Sequence, residues 1–593
     1  AAQKLIDRAL KQAPNHSRVN TLAGFIALNR FDTGKAQNHF QTAIAINNSE
    51  PLARLGLALA LIQKGKIDQG RAQMEMAVLL DPGNSLLRSY LGKTYATQNQ
   101  NDWADAQYQL AKNLDPNDPT PWFYEGLKKQ QTGELISAVK SFEKSRELND
   151  NRAVYRSRLY LDKDSASRAA NVGRVYNALG FSKQAIEIGA KAISEAPGEH
   201  SGHRLLAEAY AEDNRYESLR ASERFQSTIL QPIGSEPLPL GLSETGLLVI
   251  NGAGPADLGV NEYNPLFVQE GLRGKGAILT GAQNTHAYDV SVGGFGKKIG
   301  FDIGHYNYKS DGFRENNDVN YSISNLLTRY QIDKVNISLE INHRSEEAGD
   351  LGLNFNPDDY SPDKRISSDS HRARLGANIQ TSKSSVLLMS YSNNDIRGEE
   401  KGIIDFGSGP TPTWSKDDAD VEAIEAVYII DSENFSLVTG ANQSEHAADT
   451  WDPMSSMTLF EANQQVSEYY LYIRPRVFEK LSLAFGFDYH DTDLDINVFG
   501  EDVTKKISSK VLPKVGLTWT PNNQLEGRIA YYETYSKRLE AQTSLKPTHF
   551  NGFPQVFDGA WGTLYESSSA EIIFRPSSSF AMGATKTHHD LTE

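Results

Sequence analysis

The sequence predicts two domains of different class: an N-terminal α-solenoid of helical repeats, then an antiparallel transmembrane β-barrel. Three observations carry this expectation. Before Gln231 a helical pattern recurs about every 34 residues. From Arg273 onward apolar and polar residues alternate with a period of two. The connections between those alternating runs are short and long in strict succession. The predicted boundaries are 1–230 for the solenoid, 231–270 for a linker and 271–593 for the barrel.

The clearest helical repeat runs from Ser85 to about Asp118. Its first helix carries Leu91, Gly92 and Tyr95. Its second carries Ala104, Tyr108 and Ala111, and Pro116 closes the unit. The unit before it aligns Leu57, Ala58, Met74, Ala77 and Pro82, and an earlier one aligns Gly24, Ala36, Phe40 and Ala43. Trp122, Gly126, Ala138 and Phe142 mark the next. After an irregular stretch from Tyr155 to Ser165, two more units pass through Gly173, Tyr176, Ala185, Ala192 and Pro197, then Ala207 and Tyr210. This pattern resembles the tetratricopeptide repeat, a helix–turn–helix unit with small residues where its helices touch. The small and aromatic positions are read as helix packing, which leaves any binding role to the concave surface. Ala2, Ile6, Ala9 and Pro14 match only the second helix of a unit. Half a repeat leaves an apolar face without a partner, so an earlier natural segment is expected.

Composition narrows the function classes. A net charge of −15 argues against nucleic acid as a partner. The absence of cysteine excludes a disulfide framework, thiolate catalysis and Cys-based zinc sites. No apolar run approaches about 18 residues, so no transmembrane helix is predicted. A barrel has no such run either, because its two faces alternate. No leader pattern precedes Ala1, which fits a cytosolic chain or one whose leader has been removed. The barrel half favours the second.

Several runs show the period of two. Val335, Ile337, Leu339 and Ile341 alternate with Asn336, Ser338, Glu340 and Asn342. Leu481, Leu483, Phe485, Phe487 and Tyr489 alternate with Ser482, Ala484, Gly486, Asp488 and His490, and Val515, Leu517 and Trp519 with Lys514, Gly516 and Thr518. Each run has one apolar and one polar face. In a soluble sandwich the apolar face is core; in an outer-membrane barrel it meets lipid and the polar face lines the lumen. Local pattern leaves both open. On the barrel reading Asn336, Ser338, Glu340, Asn342, Asp488 and Lys514 are the candidate lumen-facing residues.

Connection lengths decide for the barrel. Tight turns are read at Lys297-Lys298, Asp333-Lys334, Ser382-Lys383, Ser432-Glu433, Glu479-Lys480, Pro521-Asn522 and Ser577-Ser578. Long polar loops are read between them, at Glu346 to Ile366, Arg397 to Asp418 and Tyr535 to Ala560. Short periplasmic turns and long external loops give this alternation. Tyr306, Tyr308, Tyr391, Tyr489, Trp519 and Tyr532 near strand ends are read as interfacial girdles. With a first strand from about Arg273 to Gly281 running outward and turning at Gln283 to His286, every tight turn falls on the side of the repeats, the periplasm. About fifteen strands are visible, whereas single-chain bacterial barrels use an even number. The last, around Ser579 to Thr587, is followed by His588-His589-Asp590 and not by an aromatic-ended closing strand. A natural chain extending past Glu593 is therefore expected.

Two resemblances extend this reading. The architecture is similar to bacterial exopolysaccharide exporters, in which periplasmic tetratricopeptide repeats precede an outer-membrane barrel. The detailed text resembles repeat-plus-barrel proteins whose barrel is similar to TonB-dependent receptors. That second likeness is carried by Gly252-Ala253-Gly254-Pro255, Asn261 to Phe267, Asp311 to Asp318, Gly349 to Leu353, Asn356-Pro357-Asp358, Gly552-Phe553 and Phe557-Asp558. It implies an outer-membrane location but no defined substrate. The repeats stand where the receptors carry a plug domain, which puts energy coupling through a plug in doubt.

No spacing singles out a catalytic, cofactor or metal site, and no enzyme is predicted. Asp491, Asp493 and Asp495 resemble the start of a calcium loop, but Ile496 replaces the required glycine, so an EF-hand is rejected. A polar strand end is the plainer reading, with a structural calcium ion in an outer loop left open. His588-His589-Asp590 is an adjacent pair of poor ligand spacing. Gly252 to Gly259 lacks a strand–helix context for phosphate and reads as linker. The function expected is an outer-membrane conduit for export of a polymer, polysaccharide or protein, whose periplasmic repeats dock a partner or cargo. The alternatives are a barrel-anchored scaffold or adhesin and a receptor-like uptake barrel. The expected partners are membrane lipid, a periplasmic protein and an exported polymer.

Overall fold

The computed structural model describes residues 2–30, 32–148, 161–210, 217–233, 267, 269–296, 298–352, 360–405, 410–476, 478, 480–502, 507–522, 524–535, 543–555, 563–577 and 580–592. Among these, thirteen helices run from Ala2–Gln12 to Glu217–Leu230, and strands occupy the chain from Gly271 onward. The linker features at 252–266, together with Tyr155, Asn356 to Asp358, Phe557 and Asp558, lie outside the described residues.

In three of the repeats the helices pair closely because a glycine stands opposite a ring. A Cβ on Gly92 would come within 2.5 Å of Tyr108, and one on Gly126 within 2.7 Å of Phe142. Only glycine lets the helices approach that closely. Helix starts are marked locally as well: Pro51 and Pro119 open two helices, and the Asn84 side chain accepts from the Leu86 and Leu87 amides. Asp118 caps the next repeat through the Thr120 amide and also accepts from the Ser85 hydroxyl at 2.8 Å, tying consecutive units together. One apolar core runs continuously from Leu28 to Ala209. Such a core grows by stacking units, each covering its neighbour's apolar face.

Fifteen strands follow one another in sequence order as an antiparallel meander, and the short Glu501–Asp502 pairs back onto Leu481–Val498. The first strand, Gly271–Gly281, and the last, Phe580–Thr592, are the two edges; among the described residues they are not paired to each other. The sheet curls on itself. Residues on Val335–Ala348 and on Leu525–Tyr535, far apart in strand order, enclose the same interior segments. Alternation sets the two faces: Ile337, Leu339 and Ile341 are 37–44 % exposed, whereas Glu340 and Asn342, of the opposite parity, are buried. Phe485, Phe487, Val511, Val515 and Ile529 stand on the same exposed outer face, and the buried Ala484, Asp488, Leu512 and Lys514 on the inner one.

Three sequence-based expectations are corrected here. Arg397 to Asp418 is not a loop. The strands Ser385–Asp405 and Pro410–Asp431 stay paired from Arg397↔Asp418 to Asp405↔Pro410. Beyond the apolar band both faces of a ribbon can meet water, so a paired strand there is as polar as a loop. Tyr535 to Ala560 is not wholly an outer loop: residues 543–555 fold into the curl of the sheet, where Leu545, Lys546, Phe550 and Gln555 are buried. Tyr306, Tyr308 and Tyr532 do not belong to an outer girdle, because their parity turns them inward and they are buried. Tyr391 and Trp519 do face out. The last helix of the N-terminal half, Glu217–Leu230, lies inside the curl of the sheet.

Candidate functional site

The interior of the curled sheet is the part of the molecule where charge, burial and two inserted segments converge. The helix Glu217–Leu230 supplies Phe225, Ile229 and Leu230 to an apolar cluster. Strand residues Val386, Val427, Tyr470 and Tyr532 and loop residues Leu545, Phe550 and Phe553 complete it. Its polar face is matched by the wall. Arg224 Nη1 lies 2.6 Å from Glu340 Oε1, and Arg374 Nη1 approaches the other oxygen at 3.4 Å. The Arg374 guanidinium also covers the Phe225 ring at 4.8 Å. Asn378 donates to the Ile229 carbonyl at 3.3 Å, and Arg329 to the Pro232 carbonyl at 3.0 Å, which satisfies the end of the helix.

The segment 543–555 is tethered by a charge quartet. Lys546 Nζ lies 2.6 Å from Glu468 and 2.7 Å from Asp488, and Lys514 Nζ lies 3.0 Å from Asp488. All four side chains are buried, and two cations face two anions, so the group is neutral as a set. A buried charge needs that balance, because desolvation alone costs several kcal/mol per ion. Glu425 adds a second tether: it accepts from the Leu545 amide at 2.7 Å, the Ser544 hydroxyl at 3.0 Å and the Tyr470 hydroxyl at 2.8 Å. Helix and loop are also joined to each other. Gln226 donates to the Ser544 and Lys546 carbonyls, the Ser544 amide donates to Ser222, and Thr548 donates to Glu223. Helix, loop and wall thus form one hydrogen-bonded body.

The preceding helices Ser182–Glu195 and His200–Ala209 seat this insert on the end of the sheet that carries the tight turns. Arg474 and Arg476 donate to the Ser194 and Glu195 carbonyls, at 2.8 and 2.6 Å. Lys191 pairs with Glu526 at 3.1 Å, and Arg575 with Glu187. His203 donates from one ring nitrogen to Glu223 at 2.6 Å and contacts the Pro197 carbonyl with the other at 3.1 Å. Burial works against protonation of His203, but the adjacent Glu223 carboxylate and these hydrogen bonds outweigh it and raise its pKa above the usual imidazole value. In the middle of the array, Phe267, just before the first strand, rests between Tyr90 and Tyr124 at 6.1 and 5.9 Å.

Of the residues singled out in the sequence, Glu340, Asp488 and Lys514 fall within the network. Asn342 is buried on the same inner face, and Asn336 and Ser338 lie partly buried nearer the tight turn. Asp491, Asp493 and Asp495 occupy alternate positions on one exposed strand face and do not converge as a loop would. His588 and His589 are neighbours in a strand and point to opposite faces. Lys546, Glu425, Glu468, Arg224 and Arg374 were missed. Glu425 and Glu468 do carry a signal: each shares inward parity with apolar or aromatic residues, Val421, Val427 and Ile429 for one, Tyr470 and Tyr472 for the other. Lys546 has none, since it sits in an irregular segment.

A tetratricopeptide-repeat family model matches residues 27–86. No curated protein matches the chain in sequence. Among solved structures, the sheet half is similar to BauA, the ferric preacinetobactin receptor of Acinetobacter baumannii. That likeness is 13 % identical, has a TM-score of 0.41 and covers 54 % of this chain and 53 % of that one. The alcaligin outer-membrane receptor FauA of Bordetella pertussis is similar at 12 % identity and a TM-score of 0.41, covering 54 % and 51 %. The helical half is similar to the APC/C hetero-tetramer Cut9–Hcn1 at 18 % identity and a TM-score of 0.34, covering 39 % and 43 %. The chain thus spans about half the length of these structures. The protein is a tetratricopeptide-repeat array joined to a large antiparallel barrel-type sheet.

Proposed function

We propose that this chain is a gated outer-membrane conduit held closed by its own repeat domain. Its repeats would lie in the periplasm and dock a partner or cargo. The barrel would pass an extended polymer, polysaccharide or protein, once the interior is cleared. The observation that carries this reading is that the plugging helix Glu217–Leu230 is the continuation of the repeat array itself. A partner that engages the repeats would therefore act on the plug through the helices packed against it. The exposed apolar outer face supports a lipid-facing wall, and seating of the repeats at the tight-turn rim supports their periplasmic side.

The polar character of the seal suits a gate. Charged and hydrogen-bonding contacts can be exchanged for water when the plug leaves, which a purely apolar seal does not allow. The test is electrical recording in planar bilayers with the full chain. The wild type should be silent, and the double variant Arg224→Gln, Lys546→Gln should show stepwise openings. A folded, membrane-inserted double variant that stays silent would sink the conduit reading. The second reading, a barrel that only anchors a repeat scaffold, would then hold. It is favoured by the apolar half of the plug, where Phe225, Leu545, Phe550 and Phe553 pack against the wall.

A further inference from the structure

We propose that His343, Asp369 and His371 form a binding site for a late first-row divalent cation, zinc or copper, on the outer wall of the sheet. His343 and His371 are 28 positions apart in sequence, but strand register places them directly opposite each other on Val335–Ala348 and Arg365–Gln380. Asp369 lies two residues from His371 and therefore on the same face. His371 Nε2 is 3.0 Å from one carboxylate oxygen of Asp369, and His343 Nε2 is 3.7 Å from the other. One ligand atom from each of the three residues falls within a 4.8 Å cluster. An ion about 2.1 Å from each ligand in a tetrahedral site would hold them roughly 3.4 Å apart, so small side-chain rotations suffice.

Three further features point to an ion over a chance grouping. His343 Nδ1 is buried and finds no hydrogen-bond partner, so this ring is not held by a competing polar network. The two imidazoles stack with centroids 4.3 Å apart, an arrangement unfavourable for two protonated rings and suited to two neutral ligands. Arg397, directly across from Asp369 on the next strand, is paired with Asp395 at 3.0 Å, which draws that cation away from the ligand carboxylate. Two imidazoles and a carboxylate favour zinc, copper or nickel over calcium or magnesium. Three protein ligands leave a position open to water.

The site sits one outward position beyond Ile341, at the upper edge of the exposed apolar band. It faces away from the plugged interior, so it does not depend on the conduit reading and its failure would leave that reading intact. Sequence spacing could not reveal it, because its members meet only through register.

The test uses the full-length protein, purified in detergent without a polyhistidine tag, stripped by chelator and titrated calorimetrically with zinc. One ion per chain is expected, with affinity falling at least tenfold in His371→Asn and in His343→Gln, and unchanged in the double variant His588→Asn, His589→Asn. With copper, paramagnetic resonance should report two coordinated nitrogens in the wild type and one in either single variant. Both substitutions are on an exposed face, and heat-modifiability on gels checks that the barrel is folded. No saturable binding to the wild type, or equal binding by the folded double variant His343→Gln, His371→Asn, would overturn the proposal.

Discussion

Lys546→Gln should release the loop 543–555 from the interior wall. The lysine ammonium lies 2.6 Å from Glu468 and 2.7 Å from Asp488, and all three side chains are at most 2 % exposed. Lys514 stays bound to Asp488 at 3.0 Å, so the substitution strands one buried negative charge, chiefly on Glu468. Breaking one partner of a buried pair costs about 3–5 kcal/mol. Glutamine retains a hydrogen bond, which places the expected loss near the lower end, about 3 kcal/mol. At about 1.4 kcal/mol per tenfold, the open population of the loop should rise by roughly a hundredfold. Hydrogen exchange followed by mass spectrometry reads this directly, in peptides spanning 543–555 and in the helix Glu217–Leu230 that shares its hydrogen bonds. Adding Glu468→Gln removes the stranded charge and should restore most of the protection, a coupling of the kind a double-mutant cycle isolates. If the single variant exchanges at the wild-type rate, the quartet does not hold the loop. If the double variant is no better than the single one, the effect is lost packing and the charge argument fails.

Two further outcomes follow from the same geometry. Phe485, outward at the middle of the run Leu481 to Tyr489, should tolerate Leu but not Arg; Phe485→Arg should lower barrel stability by about 2–4 kcal/mol, the range for a basic residue facing mid-bilayer lipid, measured by unfolding in lipid vesicles. The His203–Glu223 link has a folded-state pKa above the usual imidazole value, so its stabilisation is complete below about pH 6.5 and is lost as pH rises through the raised value. Exchange protection of Glu217–Leu230 should therefore fall on the alkaline side in the wild type, and His203→Gln should abolish that dependence; protection that instead falls on acidification would contradict the assignment.

The glycine–ring pairs of the repeats explain why the helical half was legible from its residues alone. Gly92 with Tyr108 and Gly126 with Phe142 are contacts within one helical hairpin, and the next hairpin repeats them 34 positions on. Short-range contacts leave a periodic imprint. The same holds for face assignment along a strand, since side chains alternate by backbone geometry and not by context. Glu340, Asp488 and Lys514 could be assigned to the face opposite Ile341, Phe485 and Val515 before any partner was known.

What fills the interior had no such imprint. Arg220, Glu223, Arg224, Gln226 and Ser227 are all buried, yet as text they describe a solvent-facing helix. Their burial is tolerated only because distant strands present Glu340 and a loop presents Thr548, and those pairings span more than a hundred residues. The inward turn of 543–555 was hidden for the same reason, since its polarity is satisfied by Glu425, Glu468 and Asp488 and not by water. The polar ribbon beyond Arg397 misled in the opposite sense: a paired strand with water on both faces loses the alternation that marks it. Sequence alone determined the two rhythms, the repeat period and the two faces of each strand, because these are set by neighbours within a few residues or one hairpin. The tertiary structure decided how the sheet curls, which segments occupy it and which histidines meet on its outer wall, because those depend on register and long-range charge pairing that no local window contains.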